Sequence, residues 1–492
     1  MLKVLVLATL TSVVVASCWG PSSPPKAEVS TVNKRMVRPT ATSTGRYYYA
    51  SPSGSSKGNG SIQSPWDLQT ALYHDPIQPG DTLWLRGGTY NGTYTGRLTG
   101  SSTRPVIVRQ YPGERAIIDG GNSQGAPIFT AKGTYTWYWG FEIMSSDPTR
   151  YTTEEGSSPI AISRGEGILV DQSQPHPGLK FINMIIHDAR QGISFWKEAS
   201  DSEAYGCLIY YNGWDAPDRG HGHGIYAQNE NGVKLITDNI LFSGFSHGIH
   251  IFGSASAFLD NFDIEGNTTF NAGSLSASGG RNLLLGGNGV AHNPILKDNL
   301  MYRSAHSGDD FNLGYSGGCA NATVSDNYVA NTTDFVKCVP VVVANNTFYG
   351  SINGFSQSQF SANTYYSQRP TGVKVFVRPN AYEPGRAHVT VFNWDGVGSV
   401  DVDLSDVLSA GDVYEVRNAE DFFGTPVASG TYAGAPVTLP LGGLSVAAPI
   451  GHSAPASSGT EFNVFVVVTT AGPKQQVRPL GRAEGTPRVV ER

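Results

Sequence analysis

Four of the eleven histidines in this 492-residue chain, His221, His223, His247 and His250, fall between positions 221 and 250. Arg219, Tyr226, Gln228 and Phe252 are interleaved with them in segments 215–229 and 247–252. A neutral imidazole accepts a proton near neutral pH. A tyrosine hydroxyl can give or take one when its environment lowers its pKa. A guanidinium fork grips a carboxylate through two parallel hydrogen bonds. Groups of these types in one place suit removal of a proton next to a carboxylate.

The spacing around these residues predicts how they are held. Gly192-Ile193-Ser194-Phe195-Trp196, Gly224-Ile225-Tyr226-Ala227-Gln228 and Gly248-Ile249-His250-Ile251-Phe252 align on a Gly-Ile pair. Side chains alternate along a strand. Ile193, Ile225 and Ile249 are therefore expected inside, with Ser194, Tyr226 and His250 as an outward ladder on successive strands about 4.8 Å apart. Trp196, Gln228 and Phe252 form the next outward row, and His223 and His247 sit on the rim. Continuing the register brings in Arg281, Asn282, Asp309, Asp310 and Asn312. Lys197 and Arg219 are expected at the groove edge, whereas Lys234 reads as a solvated surface charge. The sum is an elongated polar and aromatic groove that fits an extended polymer.

Strands stacked in this way need a solenoid. A degenerate repeat runs through 180–370, with an asparagine before a short strand at Asn239, Asn267, Asn299, Asn327, Asn346 and Asn363. Gaps of this size fit coils of three short strands with inserted loops. Asparagine tolerates left-handed backbone, and its amide can bond to the next coil. At the N-terminal end, Ser64 and Pro65 read as the cap and first residue of a short helix that plugs the solenoid. The fold class is all-β: a right-handed parallel β-helix over 46–370, then an antiparallel β-sandwich over 371–470.

The flanks read differently. Residues 1–18 have the charge and apolar core of an export signal, and Val15-Ala16-Ser17-Cys18 is similar to a bacterial lipoprotein box, with Cys18 as the lipid anchor. Residues 19–45 read as a disordered tether and 471–492 as a disordered tail. A net charge of −6 without a basic run excludes nucleic acid as a partner. Cys319 and Cys338 lie about one coil apart and could bond, leaving Cys207 free. No cofactor is read, no Cys/His set has zinc spacing, and no clear calcium site is found. The chain is taken as a monomer.

The Tyr47–Gly54 start, the Gly80–Tyr90 coil and the Asp-Asn repeat resemble the pectin-lyase-like β-helix proteins, which include polysaccharide lyases, polygalacturonases and epimerases. The resemblance covers about 47–370 and implies a polysaccharide substrate. Gly220-His221-Gly222 and Asp309-Asp310 are similar to polygalacturonase motifs but in reversed order, so no catalytic residue is carried over from them. The residues themselves leave several outcomes open. Elimination would use His223 or His250 as base, Tyr226 as acid and Arg281 on the carboxylate, with Trp196, Lys197, Arg219, His221, Gln228, His247, Phe252, Asp309, Asp310 and Asn312 lining the substrate. Hydrolysis would use two carboxyls from Asp309, Asp310, Asp215 and Asp218. Epimerisation or carbohydrate binding without catalysis completes the set.

Overall fold

The computed structural model describes residues 28–31, 45–254, 256–304 and 309–470. The signal, Cys18 and the tail lie outside these residues. Glu28–Thr31, inside the stretch expected as a tether, is a strand in parallel pairing with Lys374–Val377. Among the described residues no helix is long and apolar enough to cross a membrane.

Residues 47–366 wind into a parallel β-helix with sheets of eleven, ten and eleven strands. Each coil contributes one short strand to each sheet. The ten-stranded sheet carries the expected site, and its register is the one the Gly-Ile alignment predicts. Ile193 pairs with Ile225 and then Ile249, while Ser194, Tyr226 and His250 follow one another beside them. Ile193, Ile225 and Ile249 are fully buried, as are Phe195, Ala227 and Ile251.

The repeat asparagines form one ladder at the corner between the two eleven-stranded sheets. Each side-chain oxygen accepts from both the backbone N–H and the amide of the preceding asparagine, from Asn239 through Asn267, Asn299, Asn327 and Asn346 to Asn363. The left-handed backbone lies one residue earlier, at Asp238, Gly266, Asp298, Asp326 and Asn345. That residue turns the corner, and the asparagine satisfies the coil edges the turn exposes. Replacing Asn299 with alanine strips partners from Asn267 and from the Ile264 carbonyl at once. We expect a loss of about 2–4 kcal/mol in denaturant unfolding.

A short helix, Leu68–Leu72, covers the N-terminal end with Leu68, Ala71 and Leu72 buried. Its cap is Asp67, not Ser64. The Asp67 carboxylate accepts from the Thr70 backbone and hydroxyl, and Pro65 stays outside the helix. A disulfide joins Cys319 to Cys338, and Cys207 is a buried free thiol.

From Val373 to Thr469 an antiparallel sheet and a two-stranded pair enclose a second core of Val375, Val389, Val391, Leu439, Phe465 and Val467. This domain packs against the outer face of an eleven-stranded sheet that does not carry the site. There a column of Tyr210, Phe242, Phe270, Tyr302 and Tyr328 meets Phe392, Trp394 and Phe462.

Candidate active site

The outward ladder of the ten-stranded sheet becomes a continuous line of rings. Trp196, Tyr226, His250, Phe252 and Tyr315 succeed one another with centroids 5.2, 5.0, 5.2 and 5.8 Å apart. Trp196, Tyr226, His250 and Phe252 are all half-buried, so their faces are in part available. Close approach of the coils beneath them requires glycine in the track just before each strand. A Cβ at Gly192 would lie 2.3 Å from the Gly224 carbonyl oxygen, and one at Gly224 would lie 2.7 Å from that of Gly248.

On the rim, His223 and His247 stack in parallel, 5.3 Å apart. Nε2 of His223 meets Nδ1 of His250 at 3.0 Å. The backbone N–H of Arg281 donates to Nδ1 of His247 at 2.8 Å, so the His247 proton belongs on Nε2. All three rings are held neutral. Burial, then the charges of Arg281 and Arg219, push His247 down to about 3. Burial, then the neighbouring imidazoles and the same arginines, pull His250 well below the usual histidine range. His223 is lowered by burial and by His247. Burial raises Tyr226 instead. It therefore keeps its proton, which suits a donor and removes it as a base.

Beyond this nucleus the expected residues divide. Gln228 donates to the Phe252 carbonyl between the two aromatic side chains of its row. Arg281 continues the rim after His247 through the Gly248 pairing. Lys197 is bound to Glu230 at 2.7 Å near Phe258. Arg219 is exposed beside Asp218, and its charge is felt by the imidazoles. Asp309 enters a strand in register with Thr332.

Four of the residues expected in the groove are buried instead. His221 is buried, stacked on Trp214 and bonded to Asp218 at 3.0 Å, so it stiffens a loop and does not face the groove. Asn282 and Asp310 fall in the glycine track, which faces an inner corner. They are fully buried there, bonded to each other, and Asp310 is paired with Arg303. Asn312 does continue the outward row after Leu284, but it is buried and accepts from the Tyr315 backbone.

The structure also adds residues. Gly167-Ile168 is a fourth copy of the Gly-Ile pair, and its strand precedes that of Ser194. The rim therefore begins with Glu166 and Gln191, ahead of His223. Burial raises the Glu166 carboxyl against the opposing effect of Ser194 and Arg190. Lys234 is not solvated: it is fully buried and its ammonium donates to the carbonyls of Phe195, Trp196 and Gln228. Among the described residues no three His, Cys, Asp or Glu side chains converge to hold a metal ion.

The chain belongs to the Pel9A-like right-handed β-helix family, whose pattern matches residues 48–335. Pectate lyase PEL9 of Emericella nidulans is 40% identical over 82 residues, 16% of this chain and 20% of that protein. The match thus spans a fifth of that relative's length. Among solved structures, pectate lyase Pel9A is similar with a TM-score of 0.43 at 18% identity, over 67% of this chain and 84% of that one. A lacto-N-biosidase from Eubacterium ramulus has a TM-score of 0.44 at 14% identity, over 65% and 68%. A rhamnogalacturonan lyase has 0.42 at 14%, over 61% and 87%.

Proposed function

We propose that this protein is an exported polysaccharide lyase that cleaves a uronic-acid polymer by β-elimination along the ring-lined groove. The signal-like pattern of residues 1–18, ending in Val15-Ala16-Ser17-Cys18, supports an extracytoplasmic place, and the PEL9 match supports the lyase class. The observation that carries the reaction is the neutral His223–His250 pair set beside a protonated Tyr226.

The sugar rings lie on Trp196 and Phe252, and Arg281 holds the uronate carboxylate where negative charge develops. In the tautomer where Nδ1 of His250 donates to His223, Nε2 of His250 is left as the lone pair that takes the C5 proton. The C5–H electrons form the C4–C5 double bond as the C4–O bond breaks. Tyr226 protonates the departing oxygen. Neutral imidazole at His223 then supports the imidazolium without fixing it, so the proton returns easily.

Hydrolysis has less support. Asp310 is buried, while Asp215 and Asp218 are bound in the loop wall by Ser276 and His221. Product masses decide between the two: elimination gives fragments lighter by one water than hydrolysis gives.

The pKa directions set the pH profile. His250 loses its basicity only when protonated, and its pKa lies well below the ordinary value of about 6.5. Tyr226 loses its acidity only above its raised value, beyond about 10. We expect kcat/KM to stay level from mildly acidic pH to beyond pH 9, with both limbs outside that span. An acid limb centred near 6.5 would contradict the assignment.

A further inference from the structure

We infer that the cleft between the β-helix and the C-terminal domain is a second binding site for an acidic saccharide. The cleft has a volume of about 340 Å³ and is walled by Gln110, Asn183, Arg115, Arg386, Arg417 and Phe423, among others. It sits at the corner of the two eleven-stranded sheets. In a three-sided helix that corner lies opposite the sheet that carries the groove.

The charges in its wall do not cancel. Arg115 is bound to Glu142 through two hydrogen bonds, and Arg417 to Glu415 and to two carbonyls. Among the described residues Arg386 makes no side-chain hydrogen bond or ion pair, and its Nε is buried without a partner. A guanidinium in this state lacks the carboxylate fork it is shaped to hold. Its position is fixed in advance. The turn before it is tied to the helix by Asn380 to Asn183 at 2.8 Å, Glu383 to Asn183 at 2.8 Å, and Ala381 to the Tyr205 hydroxyl at 2.7 Å.

The remaining wall suits a sugar. Phe423 carries the Arg115 guanidinium over one face and is 37% exposed, offering its other face for stacking, and Gln110 brings an amide to the same space. Apolar area with a few convergent polar groups is the usual make-up of a small-ligand site. The choice of a uronate as ligand rests on the proposed reaction, whereas the site rests on the unpaired Arg386. A polymer held here is tethered on the far side of the helix from the bond being cleaved.

Calorimetric titration of the full chain carrying His250→Ala tests this, with trisaccharides of galacturonate, glucuronate, mannuronate and guluronate as probes. Neutral galactotriose and inorganic sulfate serve as controls. Adding Trp196→Ala weakens the groove, and binding that survives should belong to the cleft. We expect at least one acidic trisaccharide to retain such binding, and Arg386→Gln to raise its Kd about tenfold or more. Phe423→Ala, at an exposed ring, should weaken it as well and guards against a folding defect in the first variant. The inference is overturned if no acidic trisaccharide binds once the groove is weakened, if Arg386→Gln and Phe423→Ala leave the residual binding unchanged, or if sulfate or galactotriose binds equally well. Arg386-dependent binding by a protein that shows no elimination would sink the proposed reaction and keep the cleft.

Discussion

Replacing His250 with alanine lowers kcat on the polymer by about 10²–10⁴, the usual contribution of a positioned general base. The melting transition should hardly move, because His250 is half-buried on the outer face and its removal opens no cavity among Ile225, Ile249 and Leu283. Tyr226→Phe keeps the ring contacts with Trp196 and His250 and removes only the hydroxyl. It should cost kcat by a similar factor with little change in KM. His223→Ala should cost less, since it takes away the group that orients His250 and leaves the base itself. Steady-state kinetics on the three variants orders them. Equal and small losses would place the chemistry elsewhere.

Lys234→Met should destabilise the helix beneath the groove by about 1–3 kcal/mol. Two effects oppose each other. Removing a buried ammonium relieves its desolvation, which already holds its pKa well below the lysine range. Against this, the Gln228 carbonyl loses its donor inside the helix, while those of Phe195 and Trp196 keep only the backbone N–H of Gln228 and Ala199. One carbonyl left unpaired and two left with a single donor still outweigh the relief, by about 1–3 kcal/mol. Two of these carbonyls belong to Trp196 and Gln228, so the ring platform should loosen and KM should rise at temperatures where the variant is still folded. Denaturant unfolding with kinetics on the same preparation checks both effects. An unchanged midpoint would show the carbonyls to be satisfied another way.

The periodic parts of the molecule were legible in the sequence. A side-chain period of two and a repeated Gly-Ile pair placed Ile193, Ile225 and Ile249 inside and Tyr226 and His250 outside, because parallel coils stack in register and one shared frame serves them all. The asparagine ladder was legible for the same reason. What failed depended on corners. Continuing the register put Asn282 and Asp310 on the groove face, but they occupy the glycine track, whose direction follows from the turn and not from strand alternation. Lys234 looked solvated because charge alone says nothing of three converging carbonyls. His221 was drawn in by its neighbours, whereas stacking on Trp214 depends on how one loop folds back. Glu166 precedes Gly167-Ile168, which repeats the signature on the strand before Ser194, outside the histidine-rich segment.

The most direct measurement follows the ultraviolet absorbance of a conjugated unsaturated uronate during incubation of the protein with pectate, alginate, glucuronan and glycosaminoglycans, alongside His250→Ala and Tyr226→Phe. Absorbance is expected to grow with at least one polymer and to grow about a hundredfold or more slowly in both variants. New reducing ends without that absorbance, or absorbance that persists undiminished in His250→Ala, would contradict the proposed reaction.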